Sequence, residues 1–315
     1  MKTYRPIDIP VLRTCTLKSR ASKVDRGDFG KPWLPGGTFA DFLASLPNIL
    51  GAHDLRGIAG AIVASHRAKR PVMMAMGAHV IKVGLNPIVA DLIERGILSA
   101  VALNGAGIIH DVEVAMIGRT SEDVQKGLED GAFGMTKDSA DFLNQSIARA
   151  AATGEGLGAA VGRHIAETDL PYAGESILGV AYHHGIPATV HVAMGTDVLH
   201  VHPEFDPTVV GAASHRDFRL FASVVSDLEG GVYLNVGSAV ILPEVFLKAL
   251  TLVRNMGAEV KSFTTANLDF IRHYRPMTNV VTRPTILGGK GYRLVGHHEI
   301  MLPLLAASII ESLGS

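Results

Sequence analysis

Two short apolar segments, each running into a small polar loop and then a helix-like stretch, constrain the fold of this chain more than any other feature. The first is Met73-Met74-Ala75-Met76-Gly77, followed by Ala78-His79-Val80-Ile81-Lys82-Val83-Gly84. The second is Ser99-Ala100-Val101-Ala102-Leu103, followed by Asn104-Gly105-Ala106-Gly107-Ile108-Ile109-His110-Asp111. Runs this short and this continuously apolar suit parallel strands covered on both faces. Between them Asn86 is placed to cap a helix, Pro87 to open it and Gly96 to end it. Ligands of open α/β sheets bind beyond the carboxyl ends of the strands, so the polar residues clustered there are the first site candidates.

The same rhythm returns at Ala188–Val192, Val232–Val236, Glu259–Thr264 and Tyr292–Val295. About six strands alternating with helices predict a doubly wound, mostly parallel, Rossmann-like α/β sheet. Residues 1–37 are rich in charge, Gly and Pro, and read as an irregular arm that docks on a neighbour through Trp33. Thr38 is placed to cap a short helix carrying Phe39, Phe42 and Leu43. Residues 38–315 then read as one α/β domain, with a helical excursion over about 120–185.

A chain that is 47% hydrophobic and 19% charged is built to fold around a core. A formal net charge of -1 gives no global attraction to nucleic acid or an anionic membrane. The single Cys15 excludes an intrachain disulfide and a cysteine zinc cage. The start, Met1-Lys2-Thr3-Tyr4-Arg5-Pro6, lacks the apolar centre of a signal peptide, and a cytoplasmic setting is expected.

Gly105-Ala106-Gly107 and Gly237-Ser238 both follow strands, where small residues let backbone amides approach a phosphate. Neither matches the G-x-G-x-x-G fingerprint. His79, His110, His200, His202, His297 and His298 fall at or just past predicted strand ends. His191, His200 and His202 form a candidate metal cluster, the basis of an alternative reading as a metal-dependent hydrolase. Lys82 is a candidate phosphate partner or amine nucleophile. Thr265 and Ala266 stand at another expected strand end, and Arg272, Arg275 and Arg283 offer charge for an anionic substrate.

From about Phe39 onward the order of these pieces resembles the deoxyhypusine synthase family. The resemblance lies in Gly77–Gly84, Ala106-Gly107 with His110-Asp111, Gly185-Ile186-Pro187, Gly237, Thr265-Ala266 and Val295–Leu305. It implies a Rossmann-like fold, a homotetramer, and NAD bound at subunit interfaces. In that family NAD oxidises spermidine, and an enzyme lysine carries the aminobutyl group to a protein lysine. Carried over, the NAD contacts are Ala78, Lys82, Asn104, Gly105, Ala106, His110, Thr265 and Ala266, with Gly107, Asp111 and Gly237 completing the expected cofactor set.

The chain departs from the family where catalysis needs it most. The stretch aligned with the catalytic lysine motif reads Val281-Thr282-Arg283-Pro284-Thr285, His110 and His297 replace acidic residues, and the substrate histidine falls near Pro243. The run Asn104-Gly105-Ala106-Gly107-Ile108-Ile109-His110-Asp111-Val112-Glu113 is also similar to the NAD-dependent ornithine cyclodeaminase domain of bacterial arginine-degrading enzymes. The combined reading is an NAD-dependent enzyme, not a true deoxyhypusine synthase, that oxidises an amine or amino-acid-like molecule by transient hydride transfer. His110 or His297 shuttles protons, Lys82 is the lysine available for covalent work, and Arg275, Arg283, Asp197 and His200 meet the substrate. A nucleotide-binding relative without chemistry is the other alternative.

Overall fold

The computed structural model describes residues 2–314. It separates into two compact units that divide between Leu50 and Gly51. In the first unit Thr38 caps helix α1 (Phe39–Ser45) as its sequence predicts. Its hydroxyl accepts from the Asp41 amide at 3.2 Å, and Asp41 accepts in return from the Thr38 amide at 2.8 Å. Trp33 packs edge-on against Phe42 at 6.0 Å between ring centres. Ahead of these, Tyr4, Ile7, Ile9 and Val11 are exposed.

The second unit is built on six parallel strands: β1 (Val72–Met76), β2 (Ala100–Asn104), β3 (Ala188–His191), β4 (Val232–Val236), β5 (Thr264–Asp269) and β6 (Lys290–Val295). Their spatial order is β3-β2-β1-β4-β5-β6, with every neighbouring pair parallel. This is the doubly wound order whose strand connections reverse direction between β1 and β4. Helix α2 (Leu50–Arg67) precedes β1 and α13 (His298–Gly314) follows β6; parallel neighbours need crossovers, supplied here by α3 (His79–Lys82), α4 (Asn86–Glu94), α5 (Gly105–Ile117), α6 (Val124–Asp130), α7 (Lys137–Thr153), α8 (Leu157–Glu167), α9 (Ile177–His183), α10 (Pro207–Ser226), α11 (Ile241–Asn255) and α12 (Tyr274–Pro276). Five of them, α5 to α9, lie between β2 and β3. Among the described residues no helix is long and apolar enough to cross a membrane.

One face of the sheet, carrying Met73, Ala75, Ala102 and Tyr233, is covered by Phe221 of α10 and Phe246 and Leu250 of α11. Tyr233 stacks on Phe246 with ring centres 3.8 Å apart. The outer edge of β3 is closed by α10. Asp217 Oδ2 accepts from the amides of Val190 (2.9 Å) and Gly158 (3.0 Å), while Ser214 donates to the Val190 carbonyl at 2.9 Å.

Two local expectations change. Asn86 lies inside α4, whose cap is Leu85, and its amide instead reaches Asp111 at 3.3 Å. The strand expected over Glu259–Thr264 begins only at Thr264. Glu229 holds the preceding segment as an approach loop by accepting from the amides of Lys261 (2.6 Å) and Ser262 (2.8 Å). The strand itself carries Thr265, Asn267 and Asp269, all buried, so it does not read as an apolar run.

Candidate functional site

The crevice at the carboxyl edge between β1 and β4 is formed by two glycines in close approach. A Cβ at Gly77 would stand 2.3 Å from the Gly237 carbonyl oxygen, so no larger residue fits without moving backbone. The Gly77 amide donates to Val236 at 2.9 Å, and Gly237 turns the chain with φ +65 toward α11. Ser238 lies two residues ahead of the Val240 cap of that helix, its hydroxyl accepting from the Leu242 amide at 3.2 Å. Below the turn, buried Asn235 donates to the Ser238 carbonyl (2.9 Å) and to Asn267 of β5 (2.7 Å), leaving its own oxygen without a partner.

His298, the first residue of α13, lies against this approach. Its Nε2 would be 2.7 Å from a Cβ at Gly237. The side chain is 1% exposed, yet neither ring nitrogen has a hydrogen-bond partner. Leaving a buried polar group unmade costs about 1–3 kcal/mol, so this ring is an unfilled demand at the crevice. Burial pushes its pKa down; the nearby Asp269 carboxylate pulls the other way and His79 adds to the fall. Around it stand His79 (ring centres 5.7 Å apart) and Phe270 (6.4 Å), with His297 parallel to Phe270 at 6.0 Å. His297 is exposed and 3.8 Å from Glu299, while Asp269 is buried at the end of β5. Ala78 opens α3 on the β1 side of the crevice. The crevice thus gathers the expected Ala78, Gly237 and His297 and the strand-end residues Ser238 and His298 with Asp269, Phe270 and Asn235, which sequence reasoning did not select. An Asn inside the apolar run Val232–Val236 was the one available signal.

A second group forms at the start of α5. Asn104 caps it, accepting from the Gly107 amide at 3.0 Å. A Cβ at Gly105 would lie 1.9 Å from Asp197 Oδ2, so that carboxylate rests on the glycine at the first turn. An anion there is favoured by the helix dipole. The chain's own carboxylate therefore stands where the sequence reading places a phosphate. Burial pushes the Asp197 carboxyl up against the opposing pull of His200. His200 Nδ1 accepts from the amides of Gly195 (3.0 Å) and Asp197 (3.2 Å), which leaves Nε2 to face Asp197 at 3.9 Å.

The other expected residues lie elsewhere. Asp111 is fully buried and accepts from Asn86, from Ser176 (2.6 Å) and from the amides of Ile177 (2.8 Å) and Leu178 (3.1 Å). Those four donors fill a carboxylate and make it the cap that ties α9 to α5; burial pushes its pKa up to about 6. His110 engages Thr120 through Nδ1 at 2.7 Å, and Thr120 donates to Glu113. Lys82 is exposed at the end of α3. Thr265 and Ala266 open β5, so they sit near the amino edge, and Thr265 donates to the Val280 carbonyl at 2.8 Å. Arg275 pairs with Glu244 (3.4 Å), which also accepts from Asn279 (2.8 Å), and Arg283 donates to Asn279 (2.9 Å).

The three histidines of the metal alternative are not gathered. His191 is buried against Thr189 at 3.1 Å, His200 is bound to backbone amides, and His202 meets the Gly134 carbonyl at 3.0 Å. Among the described residues no group of three His, Cys, Asp or Glu is placed to hold a metal ion.

No family model matches the chain, and no curated protein matches it. Solved structures do. AgrE, crystallised as a ternary complex with ornithine and NAD+, superposes with a TM-score of 0.54 at 15% identity, over 82% of this chain and 33% of AgrE. This protein has a Rossmann-like, deoxyhypusine synthase-like fold. A conserved putative LOR/SDH protein from Methanococcus maripaludis S2 matches at 0.50 and 14% identity, over 82% of this chain and 69% of that one. A putative deoxyhypusine synthase from Entamoeba histolytica matches at 0.50 and 11%, over 90% and 96%. The chain therefore spans about a third of the length of AgrE.

Proposed function

We propose that the protein is an NAD-dependent enzyme acting on an amine or amino-acid-like small molecule through transient hydride transfer. The observation that carries this reading is the crevice at the strand-order reversal, where two glycines let the ends of β1 and β4 approach closely and a buried imidazole lacks both partners. Those residues fit a dinucleotide. Gly77 and Ala78 would hold it on one side, Gly237 and Ser238 at the start of α11 on the other, with His298 beneath. When bound, NAD accepts hydride from a C–N or C–O carbon and later returns it. His297, exposed at the crevice, takes and returns the proton at the adjacent heteroatom. Arg275, held by Glu244 at 3.4 Å, supplies charge for a substrate carboxylate. The ornithine and NAD+ bound by AgrE support the substrate class and the cofactor. The assembly is a homotetramer, consistent with the exposed apolar arm before Trp33.

The test is calorimetric titration of NAD, followed by rapid mixing of the NAD-loaded protein with ornithine and related amines while reduced nicotinamide absorbance is recorded. NAD binding and a transient rise are expected. Absence of NAD binding overturns the cofactor assignment; binding without any transient across the amines overturns the catalytic one.

A further inference from the structure

At the opposite end of the sheet from the crevice, a groove of about 740 Å³ opens at the starts of β1, β2 and β3, between Pro71 and Pro187. A five-residue strand separates the two places by roughly 16 Å. The groove has the volume of a small-molecule site. One wall is apolar, built from Leu220 and Val224, one turn apart on α10. The other carries Lys69 and Arg70, just past the end of α2. Basic residues at such a place ordinarily bond the last carbonyls of the helix. Here those carbonyls are already taken: Ala64, Ser65 and His66 accept from the amides of Ala68 (3.0 Å), Arg70 (2.8 Å) and Lys69 (3.0 Å). Among the described residues Lys69 has no anionic partner. Arg70 reaches only Asp227, at 3.8 Å, with the two side chains 49% and 73% exposed. His66 is spent on the Gly96 carbonyl at 3.1 Å. Lys69 also stands in the left-handed region, at φ +55. Helices α5, α6 and α7 give that position to glycine, the residue that adopts it without strain. The chain thus holds a free cation on the groove wall where glycine is the easier choice.

We propose that this groove binds a small organic phosphate monoester, its dianion between Lys69 and Arg70 and its organic body against Leu220 and Val224. One dianion neutralises two free cations, and the guanidinium fork meets two phosphate oxygens at once. The apolar wall calls for a body that free phosphate lacks. Asp227 is the one charge that opposes such a ligand; it holds Arg70 loosely, and the phosphate takes its place. The site is separate from the crevice and does not depend on the cofactor reading.

The experiment titrates phenyl phosphate, inorganic phosphate and phenol into the parent protein by calorimetry. Phenyl phosphate is then titrated into Lys69→Gly, Arg70→Gln and Asp227→Asn, with circular dichroism confirming each fold. Methyl NMR of leucine- and valine-labelled parent reports where the probe sits. Phenyl phosphate should bind the parent about tenfold or more tightly than either of its halves. Lys69→Gly, which suits the left-handed backbone, and Arg70→Gln, which keeps most of the stem, should each weaken it about tenfold, the loss of one charge-assisted hydrogen bond. Asp227→Asn should tighten it about threefold, the worth of an exposed ion pair. The methyl shifts should centre on Leu220 and Val224. Absence of phenyl phosphate binding overturns the proposal, as does unchanged affinity in Lys69→Gly or Arg70→Gln, or weaker binding by Asp227→Asn. Inorganic phosphate binding as tightly as phenyl phosphate would reduce the groove to anion attraction and overturn the organic ligand. Shifts at Val236 or Val295 in place of Leu220 and Val224 would put the probe at the crevice and overturn the groove site.

Discussion

The carboxylate of Asp197 rests on the α-carbon of Gly105, at the first turn of α5. Position 105 therefore tolerates no side chain unless the loop carrying Asp197 and His200 withdraws. Gly105→Ala should destabilise the protein by roughly 1–3 kcal/mol, the usual cost of overpacking. Asp197→Ala in the same molecule should recover most of that loss. Urea unfolding of the two single variants and the double variant measures the coupling; additive effects would show that the contact does not form.

Gly77 faces backbone rather than a side chain, so no second-site change can relieve it. Gly77→Ala should lower stability by a similar ~1–3 kcal/mol and abolish the thermal-shift response to NAD. A variant that keeps both the parent melting temperature and the response would contradict the close approach of the β1 and β4 ends.

Two buried carboxyls and one buried imidazole set opposite pH trends. Burial pushes Asp217 up to about 7 and Asp111 up to about 6. The folded chain then keeps protons that the unfolded chain releases near pH 4, so their contribution to stability declines as pH rises from about 4 toward 7. Burial pushes His191 down to about 4. The unfolded chain binds that proton below about 6.5, so this contribution grows as pH rises from about 4 to 6.5. Asp217→Asn removes one declining term. The stability of the parent relative to this variant should therefore fall between pH 5 and pH 7.5 in parallel urea titrations; a flat difference would show that Asp217 is ionised throughout.

Incubation with NAD and labelled spermidine should leave no label on the enzyme after borohydride reduction. Arg283 and Pro284 stand where the resemblance calls for a nucleophilic lysine. Lys290 opens β6, at the opposite end of the strand from the crevice, and Lys82 lies in solvent. An aminobutyl adduct on either lysine would restore the transferase assignment.

Light scattering at micromolar concentration should report a tetramer, and removal of residues 2–16 should lower the mass. The deletion uncouples a segment whose Ile7, Ile9 and Val11 are exposed, so an unchanged mass would place the contacts between copies elsewhere.

Strands β1, β2 and β4 were legible because they are buried and, apart from Asn104 and Asn235, built of apolar or aromatic side chains. β5 was not, because its polar residues are satisfied by partners far along the chain: Asn267 by Asn235, Thr265 by the Val280 carbonyl. Distance in sequence also hid the role of Asp111, whose donors at Ser176, Ile177 and Leu178 sit more than sixty residues away. Gly77, Gly105 and Gly237 announced close approaches but not what approaches them. His298 was visible as a histidine past a strand; its burial and its empty valences belong to the packing of α13 on Gly237.

The two margins of the sheet are chemically unlike. Along β3, α10 consumes the Val190 amide through Asp217 and its carbonyl through Ser214. Along β6 the Lys290 amide turns inward to Phe263, so the alternate groups of Gly291, Arg293 and Val295 face outward. A further strand has nowhere to register at the first margin and a ready ladder at the second. The sheet is a ruled surface with one finished hem, and any growth of it, whether useful or pathological, proceeds from the β6 side alone.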